Sequence, residues 1–166
     1  MEENTTTLSA NLPQSLVIKY APALLIKDQS LKTIDNVLDA KLPSLNILYK
    51  QNEADLKLTT TTWLIYVNEK LGINNTMSEE DIEDVAALIL SDYGFLNFGD
   101  LKIFFKNLIM GRYGEFYNNF NIPKFFTMLD VYVEKRLDKG AERSKRKHEN
   151  FIKNDPEAAR SSSRRQ

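Results

Sequence analysis

The chain has 166 residues, of which 42% are hydrophobic, so it is long enough for one domain with a substantial core. Cysteine is absent, which excludes a disulfide framework, a thiol nucleophile and a cysteine-ligated zinc. The acidic N-terminus is unlike a signal peptide and no apolar run approaches membrane-spanning length, so we expect a cytoplasmic protein without a membrane partner.

The net charge of −1 conceals an uneven distribution of charge along the chain. Residues 135–166 contain 11 Lys/Arg and 5 Asp/Glu, whereas residues 69–100 contain eight acidic residues and one lysine. A basic end and an acidic body are typical of a protein that binds charged partners.

The first third of the chain predicts short helical pieces. Residues 1–11 are predicted to be disordered, and the apolar run between Pro13 and Pro22 fits either one or two helical turns or an extended arm. Asp28 is a plausible N-cap for the next helix. The apolar residues that follow it at helical spacing are Leu31, Ile34, Val37, Leu38 and Leu42.

Three longer helices are predicted in the middle of the chain. The first runs from about Ala54 to Leu71, although the threonines at 59–62 are poor helix formers. The next two begin with capping boxes, formed by Ser78 with Asp81 and by Asn97 with Asp100. Their predicted buried residues are Ile82, Val85, Ala86 and Ile89, and then Leu101, Phe104, Phe105 and Leu108.

The last helix is predicted to begin near Asn121, with Pro123 in its first turn, and to run to about Lys153. The apolar residues that we expect to pack on the core are Ile122, Phe125, Phe126, Leu129, Val133 and Leu137. Because no alternating strand pattern is present, the sequence predicts a compact all-α domain of roughly five to seven helices. Residues 12–137 are predicted to form its core. Residues 138–154 are predicted to form a projecting basic helix, and residues 155–166 a disordered basic tail.

The basic helix carries the strongest functional signal. On a helical wheel seven cations from residue 135 onwards fall within a sector about 120° wide, apart from the acidic residues. Such a stripe fits a nucleic-acid backbone, and it equally fits an acidic face of a protein partner or of another copy. The predicted nucleic-acid-binding residues are Lys135, Arg136, Lys139, Arg143, Arg146, Lys147 and Lys153.

Other chemistry finds little support in the sequence. The acidic residues at 79–84 include carboxylates spaced for a hard cation, but acidic residues also favour helix N-termini, so we predict no metal. His148 is the only histidine and lies in the basic region. Motifs for phosphate loops, nucleophile elbows and zinc-binding helices are absent, so we expect no catalytic residue, no cofactor and no enzyme activity.

The segment between the last two helices predicts an aromatic corner. Gly111 fits a left-handed helix end, and Gly114 allows a second turn. Arg112 could bind a carboxylate or a phosphate, and a buried internal salt bridge is the expected use. The residues of this corner are Gly111, Arg112, Tyr113, Gly114, Phe116 and Tyr117.

Residues 97–136 contain a pattern of residues that matches a known family of proteins. The matching positions are Asp100, Phe104, Phe105, Gly111, Arg112, Tyr113, Gly114, Phe116, Tyr117, Tyr132 and Arg136. This stretch resembles a family of small helical proteins of bacteriophages and integrated mobile elements of gut bacteria. The genes of such proteins often lie near replication genes, so the resemblance implies an accessory role in DNA replication, such as helicase loading or primosome assembly.

Two functional hypotheses follow. The first is a phage or mobile-element replication accessory protein, located in the cytoplasm of the bacterial host, that binds a replication protein through its acidic body and DNA through the basic stripe. The second is a protein-interaction module without a nucleic-acid role, such as a host-takeover or counter-defence factor or a virion component. The sequence leaves the oligomeric state open.

Overall fold

The computed structural model describes residues 15–114 and 119–154, and in these ranges the backbone forms α-helices and no named β-strand. The predicted all-α class is confirmed. The predicted disordered ends, 1–11 and 155–166, lie outside the described residues. The helices are α1 (Leu16–Lys19), α2 (Pro22–Leu25), α3 (Ile34–Asp39), α4 (Leu45–Gln51), α5 (Glu53–Lys70), α6 (Glu79–Asp92), α7 (Phe98–Ile109) and α8 (Ile122–Asn154).

Helix α7 lies at the centre of the core. Phe104 contacts the ring of Phe125 in α8 at 5.4 Å between centroids, and Phe105 stacks on Trp63 of α5 at the same distance. The four residues predicted to face inward from α7 are all buried, and so is most of its opposite side. A helix that is buried on nearly every side must be surrounded by other elements, which here are α3, α5 and α8.

Capping boxes start three of the helices. The predicted pairs Ser78 with Asp81 and Asn97 with Asp100 are both present at the starts of α6 and α7. The predicted N-cap Asp28 is wrong, because its carboxylate accepts hydrogen bonds from Ser30 within the loop. Thr33 instead caps α3 in a reciprocal box with Asn36.

The run of threonines does not interrupt α5. The hydroxyls of Thr59, Thr60 and Thr62 each donate to the carbonyl four residues earlier, at 2.6, 2.9 and 2.8 Å. These hydroxyls therefore need no water, which allows Thr59 and Thr60 to be buried against the core.

Helix α8 contains 33 residues and is therefore about 50 Å long. Phe125, Leu129 and Tyr132 are buried on the side that faces the body. The predicted core position Leu137 is wrong, because its side chain is 55% exposed. It lies about 100° around the helix from Arg136, whose side chain contacts the body.

Candidate nucleic-acid interface

A buried carboxylate fixes α8 against α7. Asp100 is fully buried, and its Oδ1 accepts hydrogen bonds from the Tyr132 hydroxyl at 2.8 Å and from Arg136 Nε at 2.7 Å. Its Oδ2 accepts the backbone N–H of Asn97 at 3.0 Å. Burial, together with the charge of Asp100, raises the pKa of Tyr132 well above its usual range. One carboxylate thus completes the α7 cap and binds the middle of α8.

A second contact holds α8 against α3. Arg143 Nη1 lies 3.3 Å from both the carboxylate Oδ1 and the backbone carbonyl of Asp35, and Nη2 donates to the carboxylate of Asp39. The hydrogen bond from Arg143 holds the pKa of Asp39 below its usual range. Arg143 follows Arg136 by seven residues, or two helical turns, so both side chains leave the same side of α8.

These two arginines differ from the sequence prediction. Arg136 and Arg143 were expected on an open basic stripe, but both bind carboxylates of this chain. A helical wheel sorts charges by direction and carries no information about what lies in each direction. The contact of Arg143 also extends the packing of α8 on the body beyond the predicted core boundary at residue 137.

The other five predicted residues form no ion pair with the body in the part of the chain that the structure describes. Lys135, Arg146, Lys147 and Lys153 are exposed, and the Lys139 side chain is 42% exposed. We call Lys135, Lys139, Arg146 and Lys153 the outer line, because their directions around α8 differ by only about 40° and they span about 27 Å of helix. Glu142 lies beside this line, with its carboxylate 2.9 Å from Lys139 Nζ and 3.5 Å from Arg146 Nη2.

The corner between α7 and α8 ends α7 as predicted. Gly111 has φ +67°, its N–H donates to Leu108 O at 3.0 Å, and the N–H of Arg112 donates to Asn107 O at 2.9 Å. These two bonds form a Schellman motif. Gly114 turns the chain again with φ +104°. Two further corner residues, Phe116 and Tyr117, lie outside the described residues.

Arg112 does not form the expected buried salt bridge. Its side chain is exposed, and Nη1 donates to the side-chain oxygen of Asn107 at 3.0 Å. The guanidinium is therefore presented at the surface of the corner. Its charge has no carboxylate partner in the part of the chain that the structure describes.

The acidic side of the body contains a groove between α5 and α6. The groove has a volume of about 360 Å³. Its apolar lining comes from Ile65, Met77 and Ile82, and Ile65 is 45% exposed. The acidic residues that line it are Glu69, Glu79 and Glu83. A groove of this kind fits a segment with both apolar and basic side chains.

The carboxylates of α6 do not assemble into a larger cluster. Within residues 15–114 and 119–154, no three His, Cys, Asp or Glu side chains come together in a way that could hold a metal ion. None of the helices in these ranges is both long and apolar enough to cross a membrane.

Comparison with known proteins places the chain in a family. A family of unknown function, DUF6633, matches residues 76–162, which is more than half of the 166 residues. The chain belongs to DUF6633. The match contains α6, α7 and α8 in full, so the Asp100 network and the outer line are parts of the DUF6633 region. Neither the comparison with curated proteins nor that with solved structures gave a match.

The DUF6633 match also contains residues 97–136, which carry the resemblance to proteins of phages and mobile elements. The family description assigns no function, so this relationship stays a prediction. Helices α1–α5 precede the matched region.

Proposed function

We propose that this DUF6633 protein is a non-catalytic DNA-binding accessory protein of bacteriophage or mobile-element replication, acting in the cytoplasm of the bacterial host. The observation that carries the proposal is the outer line of α8, in which Lys135, Lys139, Arg146 and Lys153 lie along a helix that Arg136 and Arg143, about 75° further around its axis, anchor to the body.

The anchors favour binding because they order the helix before DNA arrives. Arg136 and Arg143 hold α8 on the body by ion pairs with Asp100 and Asp39, so less ordering of the helix has to occur on binding. The outer line then offers cations at intervals along about 27 Å to the phosphates of a nucleic-acid backbone. Neutralising phosphates releases counterions, which provides a sequence-independent binding energy.

The replication role rests on the resemblance and on the acidic groove. The groove between α5 and α6 lies on different helices from the outer line, and its glutamates complement a basic, apolar segment of a replication protein. The protein would then connect that partner to DNA without a catalytic step.

Fluorescence anisotropy across a series of salt concentrations tests DNA binding. The outer-line variant Lys135→Gln, Lys139→Gln, Arg146→Gln and Lys153→Gln removes four positive charges from α8. We expect it to lower the dependence of log affinity on log salt by up to about 3.6, at about 0.9 for each phosphate contact. No binding of duplex or single-stranded DNA by the unmodified protein at low salt would contradict the proposal.

A matched control separates a binding surface from net charge. The variant Lys32→Gln, Lys41→Gln, Lys50→Gln and Lys106→Gln also removes four charges, from exposed lysines outside α8. We expect it to leave the salt slope close to that of the unmodified protein. Equal losses in both variants would show that net charge alone drives the association.

The acidic groove favours the second candidate function, a protein-interaction module without a role on nucleic acid. Its test is a pull-down from host lysate treated with nuclease, combined with light scattering. A partner that is retained by the outer-line variant and lost by Glu69→Lys with Glu83→Lys would support this function. It would replace the first proposal if the unmodified protein also fails to bind DNA.

A further inference from the structure

The turn after α7 places Arg112 beside the first part of α8. The Schellman motif fixes the backbone of Gly111 and Arg112, and the bond from Nη1 to Asn107 at 3.0 Å restrains the guanidinium. A guanidinium has five N–H donors, and this bond uses one of them. The side chain is therefore both ordered and able to donate to a further acceptor.

A cleft of about 400 Å³ lies between this turn and α8. Its basic residues are Arg112, Lys124 and Lys135, and the two lysines are eleven residues apart, which places them about three turns apart on one side of α8. The remaining lining consists of Tyr113, Thr127, Met128 and Val131. None of these lining residues, all within the described part of the chain, is acidic.

The chemistry of the lining fits a small dianion attached to an organic group. Arginine and lysine donate charge-assisted hydrogen bonds to phosphate oxygens. Tyr113 supplies a phenol; burial raises the pKa of Tyr113, whose ring packs on Phe104 at 5.5 Å, so the phenol stays protonated at neutral pH and can donate. The hydroxyl of Thr127 already donates to the carbonyl of Pro123 at 2.9 Å. Met128 and the 39% exposed Val131 provide an apolar wall beside these groups.

We propose that this cleft binds a phosphate monoester, and that its nucleic-acid source is the 5′-terminal phosphate of a strand lying along α8. The assignment to the 5′ end of a strand rests on the proposed function, because Lys135 belongs both to the cleft and to the outer line. An internal phosphodiester carries one negative charge, whereas a terminal monoester carries nearly two at neutral pH, so the charges of Arg112 and Lys135 discriminate in favour of the end. Lys124 adds to the positive potential of the cleft while its Nζ donates to the carbonyl of Asn119 at 3.4 Å.

The test compares two single-stranded oligonucleotides of the same sequence, one with a 5′-phosphate and one with a 5′-hydroxyl, each labelled at the 3′ end. We expect the phosphorylated strand to bind about tenfold more tightly, which corresponds to one charge-assisted contact. Arg112→Gln removes this preference and leaves the affinity for the 5′-hydroxyl strand nearly unchanged. The matched variant Arg146→Gln, on the outer line, weakens both strands by the same factor and keeps the preference.

A second measurement tests the cleft without DNA. Thymidine 5′-monophosphate, titrated into the ¹⁵N-labelled protein, is expected to shift the amide signals of Gly111, Arg112, Tyr113 and Gly114, whereas thymidine is not. The shifts are expected to be absent in Arg112→Gln and reduced in Lys135→Gln, and both variants change exposed side chains.

The outcomes separate this inference from the proposed function. Shifts by the monophosphate in a protein that binds neither oligonucleotide would support the cleft, assign it to free phosphate monoesters and remove the DNA-binding proposal. DNA binding with equal affinity for the two strands and no shift by the monophosphate would overturn the cleft and leave DNA binding intact.

Discussion

Arg136 Nε donates to Asp100 Oδ1 at 2.7 Å, from a side chain that is 16% exposed to one that is fully buried. The same carboxylate also accepts from Tyr132 and caps α7 through the N–H of Asn97. The start of α7 and the docking of α8 therefore depend on one residue. A buried carboxylate with this many donors is costly to remove, since each donor would lose its acceptor.

We first predict that Asp100→Ala destabilises the protein by about 3–5 kcal/mol, because it leaves the Arg136 charge and the Tyr132 hydroxyl without their buried acceptor. Urea unfolding followed by circular dichroism measures this change. Asp138→Ala, at an exposed position of α8, is the matched control and should change the free energy of unfolding by less than about 0.5 kcal/mol. Equal stabilities of the two variants would show that the network contributes little.

The ion pair between α3 and α8 predicts a pH dependence. The hydrogen bond from Arg143 lowers the pKa of Asp39, so Asp39 should titrate below the usual value of about 3.9. A lowered folded-state pKa contributes stability above the unfolded-state pKa, and this is lost as the pH falls through the folded-state value. We therefore expect the contact between α3 and α8 to weaken only in acid below about pH 4.

NMR titration of the side-chain carboxyl carbons measures this pKa directly. In Arg143→Ala the pKa of Asp39 should rise towards its ordinary value, and amide hydrogen exchange should accelerate in α8 after Arg136. Lys145→Ala, two residues further along and exposed, is the control and should leave both unchanged. An Asp39 pKa that does not respond to the loss of Arg143 would contradict the contact.

At the alkaline end, Tyr93 provides the corresponding prediction. Burial and the hydrogen bond from its hydroxyl to Asp130 at 2.6 Å raise the pKa of Tyr93 to about 12. Its raised pKa contributes stability that is complete below the unfolded value of about 10 and is lost as the pH rises through the folded value. NMR signals of the tyrosine ring should show the raised pKa of Tyr93, and Asp130→Asn should lower that pKa. Titration of Tyr93 near 10 in the unmodified protein would contradict the prediction.

Replacing glycine by alanine is expected to have opposite effects on the stability of the protein at Gly140 and at Gly111. Gly140 lies inside α8, and beyond the neighbouring backbone of the helix a Cβ added there would have no atom within 4 Å, so Gly140→Ala should stabilise the protein by up to about 1 kcal/mol. Gly111 also has open space but holds φ +67°, so Gly111→Ala should destabilise it by about 1–2 kcal/mol. Thermal unfolding distinguishes them, and a shift of both in one direction would be inconsistent with these backbone conformations.

The sequence alone determined the features that depend on neighbouring residues. The starts of α6 and α7 were predictable because a capping box involves residues three apart, and the end of α7 because Gly111 accepts a left-handed backbone. Four of the buried residues of α7 followed from helical spacing, namely Leu101, Phe104, Phe105 and Leu108. The all-α class followed from the same periodicity.

Apart from the N-cap Asp28 and the core position Leu137, what the sequence did not predict are contacts between distant parts of the chain. Lys102 is buried in α7, where its ammonium donates to the carbonyls of Asp28 and Leu31, and burial lowers its pKa. No local pattern distinguishes this lysine from a solvated one. Arg143 likewise meets carboxylates that lie 104 and 108 residues earlier in the chain.

The sequence by itself determined that α8 is a long helix on which positive and negative charges are separated around the axis, since both properties follow from helical geometry. Only the tertiary structure decided which of its cations are available. The positions of Asp35, Asp39 and Asp100 direct Arg136 and Arg143 towards the body and leave the outer line, about 75° further around the helix, without ion pairs to the described part of the body. An ion pair depends on the positions of two side chains, and a helical wheel gives the direction of the side chain on α8 but not the position of its partner.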